Sequence, residues 1–378
     1  MKKLVLSLAI LATIFTGCGS DDSNPGPVVP TTGELSGNIT EDMTLNAGTL
    51  YTLRGATYVK EGVTLTIPAG TRIEADAAFQ EVAFLAVEKG GKILAQGTAE
   101  NPIVFTSNAA SPAPQDWGGL VICGNAVTNL GTNVQAEVTG LTYGGTNAAD
   151  NSGIFSHIIV EYSGNLINDE AEFNGVTFYA VGSGTTVNNI LVYQGSDDGF
   201  EWFGGSVNAT NLAAIGCQDD SFDWTEGWNG TASNLYSDQS TAIAASADSR
   251  GVEADNNTTN PLLAPISSPT LSNITLIGRG LADVAKEGGM WLRRGTHATV
   301  TNAYIANFNS TASGAGFGIN FDGTDSQTFF TANPLQNVTI TDVTTADNLS
   351  GAGYQATTTA TGAGSGAAQP TWMDWMGL

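Results

Sequence analysis

The sequence predicts an all-β protein in which residues 34–378 form a right-handed single-stranded parallel β-helix with loop insertions. Short β-prone runs recur throughout, for example residues 64–67, 190–192 and 338–340, and no window keeps a helical period. A polar residue, usually Asn, precedes many of these runs, and its smallest step is 22 residues. A repeat of this length with variable insertions is typical of a solenoid. The polar position is held by His157, Asn189, Asn211, Asn234, Asn273, Asn302 and Asn337.

The sharpest repeat combines acidic and aromatic residues. Residues 197–202 read Asp-Asp-Gly-Phe-Glu-Trp, and residues 219–224, offset by 22, read Asp-Asp-Ser-Phe-Asp-Trp. Successive coils of a parallel β-helix stack about 4.8 Å apart, so about a dozen coils would extend over roughly 60 Å. We therefore expect three stacked carboxylate pairs, which are Asp197 with Asp219, Asp198 with Asp220, and Glu201 with Asp223.

Three such pairs in one patch need compensation, because like charges that face each other across a sheet destabilise it. A hard cation with carboxylate ligands, such as Ca²⁺, would supply it. A second alternative is guanidinium groups from neighbouring loops, for which Arg250, Arg293 and Arg294 are candidates. A third is outward fanning of solvated carboxyl groups with raised pKa values. The spacing predicts that the acids cluster and leaves all three alternatives open.

The aromatic half of the repeat contains Phe200, Trp202, Phe222 and Trp224. Residues two apart in a strand share a face. We expect these four rings to stack inside the coil as core. The alternative is an outward aromatic strip suited to sugar rings.

Candidate ligand contacts outside the repeat are Trp228 and Trp291, which fall in predicted loops, and Arg250. The two histidines, His157 and His297, occupy a solenoid position and a site beside a Gly-Thr turn. We interpret both as structural residues.

Composition restricts the partners. The chain has 36 acidic and 12 basic residues, a formal charge of −24, which becomes −26 without Lys2 and Lys3. Such a surface repels nucleic acid and anionic lipid headgroups. The 41% of hydrophobic residues argues against disorder. Cations and neutral partners fit this charge better.

Cys123 and Cys217 each follow an apolar run. We predict that both are buried thiols and not a disulfide. Their 94-residue separation corresponds to about four coils, or ~15–20 Å along the axis. A disulfide needs Cα atoms within about 7 Å of each other.

The first 18 residues look like an export signal. Lys2 and Lys3 precede an apolar run over residues 4–15, which is too short to span a membrane. The sequence Phe-Thr-Gly-Cys at residues 15–18 resembles the lipobox of bacterial lipoproteins. The resemblance implies a signal peptide over residues 1–17 and lipidation of Cys18 by a diacylglycerol and a fatty acyl chain such as palmitate. Residues 18–33 would then be a flexible tether.

Asp21 and Asp22, just after the lipidated cysteine, are similar to the surface-export signal of Bacteroidota lipoproteins. This likeness implies a lipid-anchored protein of the outer membrane that faces the cell exterior. The membrane would then be one partner, reached through the lipid.

Five motifs give the chain a wider resemblance. They are residues 67–71 (Ile-Pro-Ala-Gly-Thr), 88–93 (Glu-Lys-Gly-Gly-Lys-Ile), 101–107 (Asn-Pro-Ile-Val-Phe-Thr-Ser), 116–120 (Asp-Trp-Gly-Gly-Leu) and 198–205 (Asp-Gly-Phe-Glu-Trp-Phe-Gly-Gly). With them the chain resembles a family of Bacteroidota surface lipoproteins with a right-handed parallel β-helix and unknown function. The resemblance implies the fold and says almost nothing about activity.

Catalysis finds incomplete support in the sequence. The Asp-Asp doublets are similar to those of polygalacturonases, but that family's Gly-His-Gly and Arg-Ile-Lys motifs are absent. An inverting glycosidase would need two carboxyl groups about 6.5–9.5 Å apart, which the doublets could supply. A lyase that combines Ca²⁺ with a basic catalyst stays open, since Arg250 lies near Glu253 and Asp255. The sequence has no nucleophile elbow, phosphate loop or zinc-ligand spacing.

We therefore expect a non-catalytic, surface-anchored protein that binds a glycan or a surface protein. The first alternative is a polysaccharide lyase or glycoside hydrolase that works at the acidic patch. The second is an accessory subunit of an outer-membrane complex. Nucleic acid is not an expected partner, and the sequence does not predict the oligomeric state.

The last residues carry one more prediction. Trp372, Met373, Trp375 and Met376 follow a stretch rich in Ala, Thr and Gly. We expect this aromatic tail to cap the last coil, whose open edge would otherwise invite aggregation.

Overall fold

The structure, a computed structural model, describes residues 31–378 apart from residues 170, 245, 247, 283–286 and 312–313. Within this part of the chain, 24 strands join one continuous parallel ladder system, and the predicted right-handed parallel β-helix is confirmed. The predicted signal peptide, most of the tether and Cys18 lie outside the described residues. The first strand begins at Thr31, three residues before the expected start of the β-helix domain.

Each coil has three faces, and the strands are numbered in chain order. Strands of the first face are β2 (Met43–Thr44), β4 (Thr64–Pro68) and β7 (Lys92–Gln96). Strands of the second face are β5 (Arg72–Ala75) and β8 (Ile103–Ser107). Strands of the third face are β6 (Phe84–Val87), β9 (Leu120–Cys123), β13 (Val176–Tyr179), β15 (Phe200–Phe203), β17 (Phe222–Thr225), β19 (Arg250–Ala254), β21 (Gly288–Leu292), β23 (Phe317–Phe321) and β25 (Thr345–Asp347).

Longer strands bend across two faces. β1 (Thr31–Ile39) and β3 (Thr49–Val59) join the second and third faces. The first and second faces are joined by β12 (Gly153–Glu161), β14 (Thr186–Tyr193), β16 (Asn208–Ile215), β18 (Thr231–Asp238), β20 (Thr270–Ala282), β22 (Thr299–Ser310) and β24 (Leu335–Thr341), and β26 (Tyr354–Ala356) pairs with β24. The remaining elements are the hairpin of β10 (Val134–Gln135) and β11 (Thr142–Tyr143), helix α1 (Thr324–Ala332) and a 3₁₀ helix (Thr371–Met376). Among the described residues, no helix is long and apolar enough to cross a membrane.

The bend between the first and second faces lies at the repeated polar position. His157 and the six asparagines listed above all have φ between 52° and 61°. This left-handed conformation is strained for most residues, and Asn tolerates it better than they do. From Asn211 onward the asparagines also form a ladder, in which each side-chain amide donates to the side-chain carbonyl oxygen of the previous one, as from Asn234 to Asn211 at 2.7 Å and from Asn273 to Asn234 at 2.9 Å. The Asn repeat therefore marks a corner of the coil.

The core lies inside the three faces and contains the aromatic repeat. Phe200 stacks on Phe222 with ring centroids 5.7 Å apart, and Trp202 pairs in register with Trp224. All four rings are at most 1% exposed. The predicted core stack is confirmed, and the alternative of an outward sugar-binding strip is wrong, because Glu201 and Asp223 take the outward positions instead.

Two stretches of the outer surface are covered by other parts of the chain. Residues 124–152, which contain the β10–β11 hairpin, pack on the third face around Val121, Cys123 and Tyr179. Residues 357–378, here called the strap, run back along the second face. Strap residues contact Asn302, Thr275 and Tyr236 in turn, and Met373 and Met376 then pack with Ile159 and Leu191.

The strap corrects the prediction for the C-terminal aromatic residues. They do not cap the last coil. They cover the second face instead, where the outward side chains of β12, β14 and β16 are the apolar residues Ile159, Leu191 and Ala213. Trp372 and Trp375 join this same lateral cluster. Near the last coils, Ile340, Val343, Leu349 and Tyr354 are among the side chains that pack against the main core.

Cys123 and Cys217 are both buried free thiols, as predicted. Cys123 belongs to the cluster under the 124–152 insertion, whereas Cys217 belongs to the main core. Burial raises the pKa of each thiol to about 12. Both behave as small apolar side chains.

Candidate functional site

The acidic repeat stacks as expected. Glu201 of β15 pairs in register with Asp223 of β17, and Asp223 pairs in turn with Glu253 of β19. All three lie on the outer side of the third face. The corners before β15 and β17 hold the two Asp-Asp doublets. There the backbone N–H of Asp220 donates to Oδ1 of Asp198 at 2.9 Å.

The stacked acids form the floor of a cavity of 420 Å³ on the side of the β-helix. All six predicted acids line it: Asp197, Asp198, Glu201, Asp219, Asp220 and Asp223. Its walls add Glu137 from the 124–152 insertion, Asp169 and Glu172 from the loop before β13, and Asp248 and Glu253. Among the described lining residues, eleven are acidic and only Arg250 is basic.

Three groups of carboxylates within this lining bring their oxygen atoms within 4.8 Å of one another. The first group is Asp197, Asp198 and Asp219, the second is Asp198, Glu201 and Asp223, and the third is Asp220, Asp223 and Glu253. Asp198 belongs to the first two groups and Asp223 to the last two. The groups therefore follow one another in a row along the stack.

Burial of these carboxyl groups shifts their ionisation strongly. Loss of solvation raises the pKa well above its usual value for Asp197, Asp198, Glu201, Asp220 and Asp223. Neighbouring carboxylates raise these pKa values further. The pKa of Glu253 is raised as well by burial, against the opposing effect of Arg250 and Arg293. Of the third alternative, the raised pKa values are observed, but Asp198 and Asp220 do not fan outward into solvent, because they are only 7% and 4% exposed. The other four acids of the repeat are half-buried.

A family model described as a pectate-lyase like beta helix domain matches residues 37–376. The chain belongs to this family. No curated protein and no solved structure matches it. Membership in the pectate-lyase-like β-helix family agrees with the observed fold. The narrower resemblance to Bacteroidota surface lipoproteins stays a prediction.

Arginines compensate one end of the cavity of this pectate-lyase-like domain. Arg250, 1% exposed, forms ion pairs with Asp248 and Glu253 and lies 3.5 Å from Asp220. Arg293 does not line the cavity, but it forms an ion pair with Glu253, which does. Its Nε also donates to Oδ1 of Asp255 at 2.6 Å. Arg294 contacts Asp255 and does not line the cavity. The guanidinium alternative therefore holds for the third carboxylate group.

Of the three predicted ligand contacts, Arg250 and Trp291 lie at or near the cavity, whereas Trp228 lies in the core. Trp228 follows β17 as expected but is fully buried, because its ring stacks on Trp202 at 4.6 Å and its Nε1 donates to the carbonyl of Val207. Its prediction as a ligand contact is wrong. Trp291 lies on strand β21 and not in a loop, and its ring is covered by Arg250, whose Cζ is 3.8 Å from the ring centroid.

Both histidines occupy structural positions. His157 adopts the left-handed corner conformation and lies 5.1 Å from the ring of Trp375 in the strap. His297 stacks on Phe329 of helix α1 at 3.9 Å. Neither lines the acidic cavity.

The sequence prediction missed the walls of the cavity. Glu253 carried a usable signal, because Gly251-Val252-Glu253-Ala254 aligns with Ser221-Phe222-Asp223-Trp224 once the longer loop between them is allowed for. Glu137, Asp169 and Glu172 lie in insertions without a repeat. No pattern in the sequence places them at the cavity.

Proposed function

We propose that this pectate-lyase-like β-helix is a non-catalytic, surface-anchored binding protein that holds a glycan at its acidic cavity. The carrying observation is that the described residues lining this 420 Å³ cavity include eleven acidic side chains and one basic side chain. Such a lining favours a ligand that brings positive charge, either as amino groups of its own or as cations held between it and the protein. The family's description supports a polysaccharide as the ligand class.

The geometry argues against an inverting acid–base pair within any one of the three carboxylate groups, and against Arg250 as the base of a lyase. An inverting glycosidase separates its two carboxyl groups by about 6.5–9.5 Å so that a water fits between them. Here the carboxylate oxygens gather in groups within 4.8 Å. Arg250 is poorly placed to act as the base of a lyase, because it is 1% exposed and already engaged in ion pairs with Asp248 and Glu253.

A polysaccharide lyase or hydrolase is the second candidate. Its support is the set of buried carboxyl groups with raised pKa values, since such groups serve as general acids in many glycosidases. The family's description supports it too. This candidate requires products, which the binding proposal does not.

The test is a panel of neutral, aminated and acidic polysaccharides, incubated with the purified chain with and without Ca²⁺. We expect at least one polysaccharide to be retained, and retention to fall at least tenfold in Asp198→Asn and Asp220→Asn. The exposed Asp374→Asn is the matched control and should bind like the unchanged chain. New reducing ends or unsaturated sugars that disappear in Asp198→Asn would establish the enzyme instead.

The proposal also includes the cellular location of the protein. Lipidation of Cys18 would tether the β-helix to the outer membrane and direct it to the cell exterior. Cells fed a labelled fatty acid should label the unchanged chain but not Cys18→Ser. Protease added to intact cells should digest the unchanged chain, and full protection would contradict display on the outer face.

A further inference from the structure

The row of carboxylate groups has the dimensions of a cation site. Ca²⁺ binds oxygen ligands at about 2.3–2.6 Å, so two ligands on opposite sides of one ion are about 4.8 Å apart. The oxygen atoms of each group of three lie within this limit. Each group therefore fits around one ion without any change in the backbone.

A second observation points into the same cavity. Oδ1 of Asp220 is buried without a hydrogen-bond partner, and the residue as a whole is 4% exposed. Oδ1 of Asp223 also lacks a partner. Buried polar atoms almost always have a partner, since an unpaired one loses the solvation it had in water. A bound cation would supply that partner for both oxygens.

Hydrogen bonds from neutral donors orient these carboxylates, as is usual for the ligands of a metal ion. Nδ2 of Asn174 donates to Oε2 of Glu201 at 2.6 Å, and Oγ of Ser246 donates to Oδ1 of Asp219 at 2.6 Å. The backbone N–H of Asp220 holds Oδ1 of Asp198. Neutral donors around ligating carboxylates fix their direction and are a regular feature of metal sites.

We propose that the cavity binds at least two divalent cations, Ca²⁺ being the best fit, with Asp198 and Asp223 as carboxylates shared between neighbouring ions. The carboxylates would be shared because the three groups overlap at Asp198 and Asp223. Ions that share a carboxylate lie about 3.5–4 Å apart. The three groups contain seven carboxylates, and Arg250 and Arg293 offset two of their charges. Two or three divalent ions would balance most of the remainder.

The ligand chemistry selects the ion. Every candidate ligand in the three groups is a carboxylate oxygen, and His and Cys, which favour zinc or copper, are missing from them. Mg²⁺ keeps several waters and a strict octahedron, whereas Ca²⁺ accepts six to eight oxygens in flexible geometry. Crowded carboxylates on a rigid stack of strands therefore suit Ca²⁺ better.

The test is calorimetric titration of the cation-stripped full chain with CaCl₂. We expect two or three ions per chain, and Asp198→Asn should lose at least one ion and bind the rest at least tenfold more weakly. Asp220→Asn is a second variant, and Asp374→Asn is the control that should titrate like the unchanged chain. Melting in EGTA shows that each variant is folded, because removing one like charge without changing shape should not lower its stability.

One ion or none per chain, or an unchanged titration for Asp198→Asn, would overturn the inference. This inference deepens the proposed function, which uses the same cavity, yet the two can fail separately. If polysaccharide retention is equal in Ca²⁺ and in EGTA, the cation inference fails while the proposed binding function stands. Stoichiometric Ca²⁺ with no polysaccharide retained would do the reverse.

Discussion

Asp198 and Asp220 are carboxyl groups that the coil geometry forces into poor solvation. Asp220 lies one coil from Asp198, and its charge is among the causes that raise the pKa of Asp198. The charges of Asp219 and Glu253 raise the pKa of Asp220 in the same way. Replacing water by protein and adding like charges both favour the protonated form. Without cations, a proton is the simplest way for the cavity to lower its charge.

This gives a pH dependence of stability with a definite sign. Unfolded Asp and Glu ionise near pH 4, and the folded pKa values lie well above that. Between the two, the folded chain binds more protons than the unfolded one, so its stability falls as pH rises. In EGTA we expect the melting temperature to drop by about 5 °C or more between about pH 5 and about pH 8.

The same scan in Ca²⁺ should be flatter, because the ion replaces the proton as the neutralising partner. Asp198→Asn in EGTA should also flatten it, while the exposed Asp374→Asn should leave it unchanged. A melting temperature in EGTA that rises over this range would mean that the carboxyl groups are stabilised as anions.

Asn234 tests the corner of the coil. This residue has a φ of 57°, its side-chain amide donates one hydrogen bond to Asn211, and its side-chain carbonyl oxygen accepts one from Asn273. Asn234→Ala loses both bonds and places a strained residue in the left-handed region, at a cost of about 2–4 kcal/mol. Asn234→Gly loses the bonds but not the conformation, and should cost about half as much. Urea unfolding measures both, and a Gly variant less stable than the Ala variant would contradict the role of the corner.

The strap is the element that sequence reasoning placed wrongly, and it makes its own prediction. Met373 is fully buried in the lateral cluster with Ile159 and Leu191. Met373→Ala should cost about 2–5 kcal/mol of unfolding free energy, as truncation of a buried side chain does. Asp374→Ala changes the exposed neighbour on the same 3₁₀ helix and should stay within about 0.5 kcal/mol. Equal effects of the two substitutions would show that the strap is not packed in solution.

Removing the whole strap should expose an apolar strip. Deletion of residues 357–378 uncovers Ile159, Leu191 and Ala213 and is expected to increase binding of a hydrophobic dye and self-association. The strands beneath keep their ladder pairing and should retain their circular dichroism. A soluble monomer with unchanged dye binding would contradict this account.

Over the whole molecule, what the sequence predicted follows from one physical fact. The constant 22-residue offset of the acidic repeat sets its register, so the stacking of Glu201 on Asp223 and the burial of Trp202 could be predicted. The recurring Asn was recognisable as a repeat position, whereas its role as a corner came from the structure. Segments outside the repeat carry no such register. The cover of the second and third faces, and with it Glu137 and the strap, therefore had to come from the structure.

One signal of that cover was nevertheless present. The runs Ile158-Ile159-Val160 and Ile190-Leu191-Val192 are apolar on both sides of the strand, whereas a strand with one wet side alternates. The sequence showed that these outward positions must be covered. It did not show which of the later segments would cover them.

The strap also decides how the molecule should come apart. A plain stack of coils can fray, because each coil touches only its neighbours and the outermost one peels away first. Here residues 361–376 tie Asn302, Thr275 and Tyr236 to the strands that carry Leu191 and Ile159. The coils from β12 to β22 are latched together and should open as one cooperative unit, with amide protons that exchange at a common rate and not in a gradient from the end.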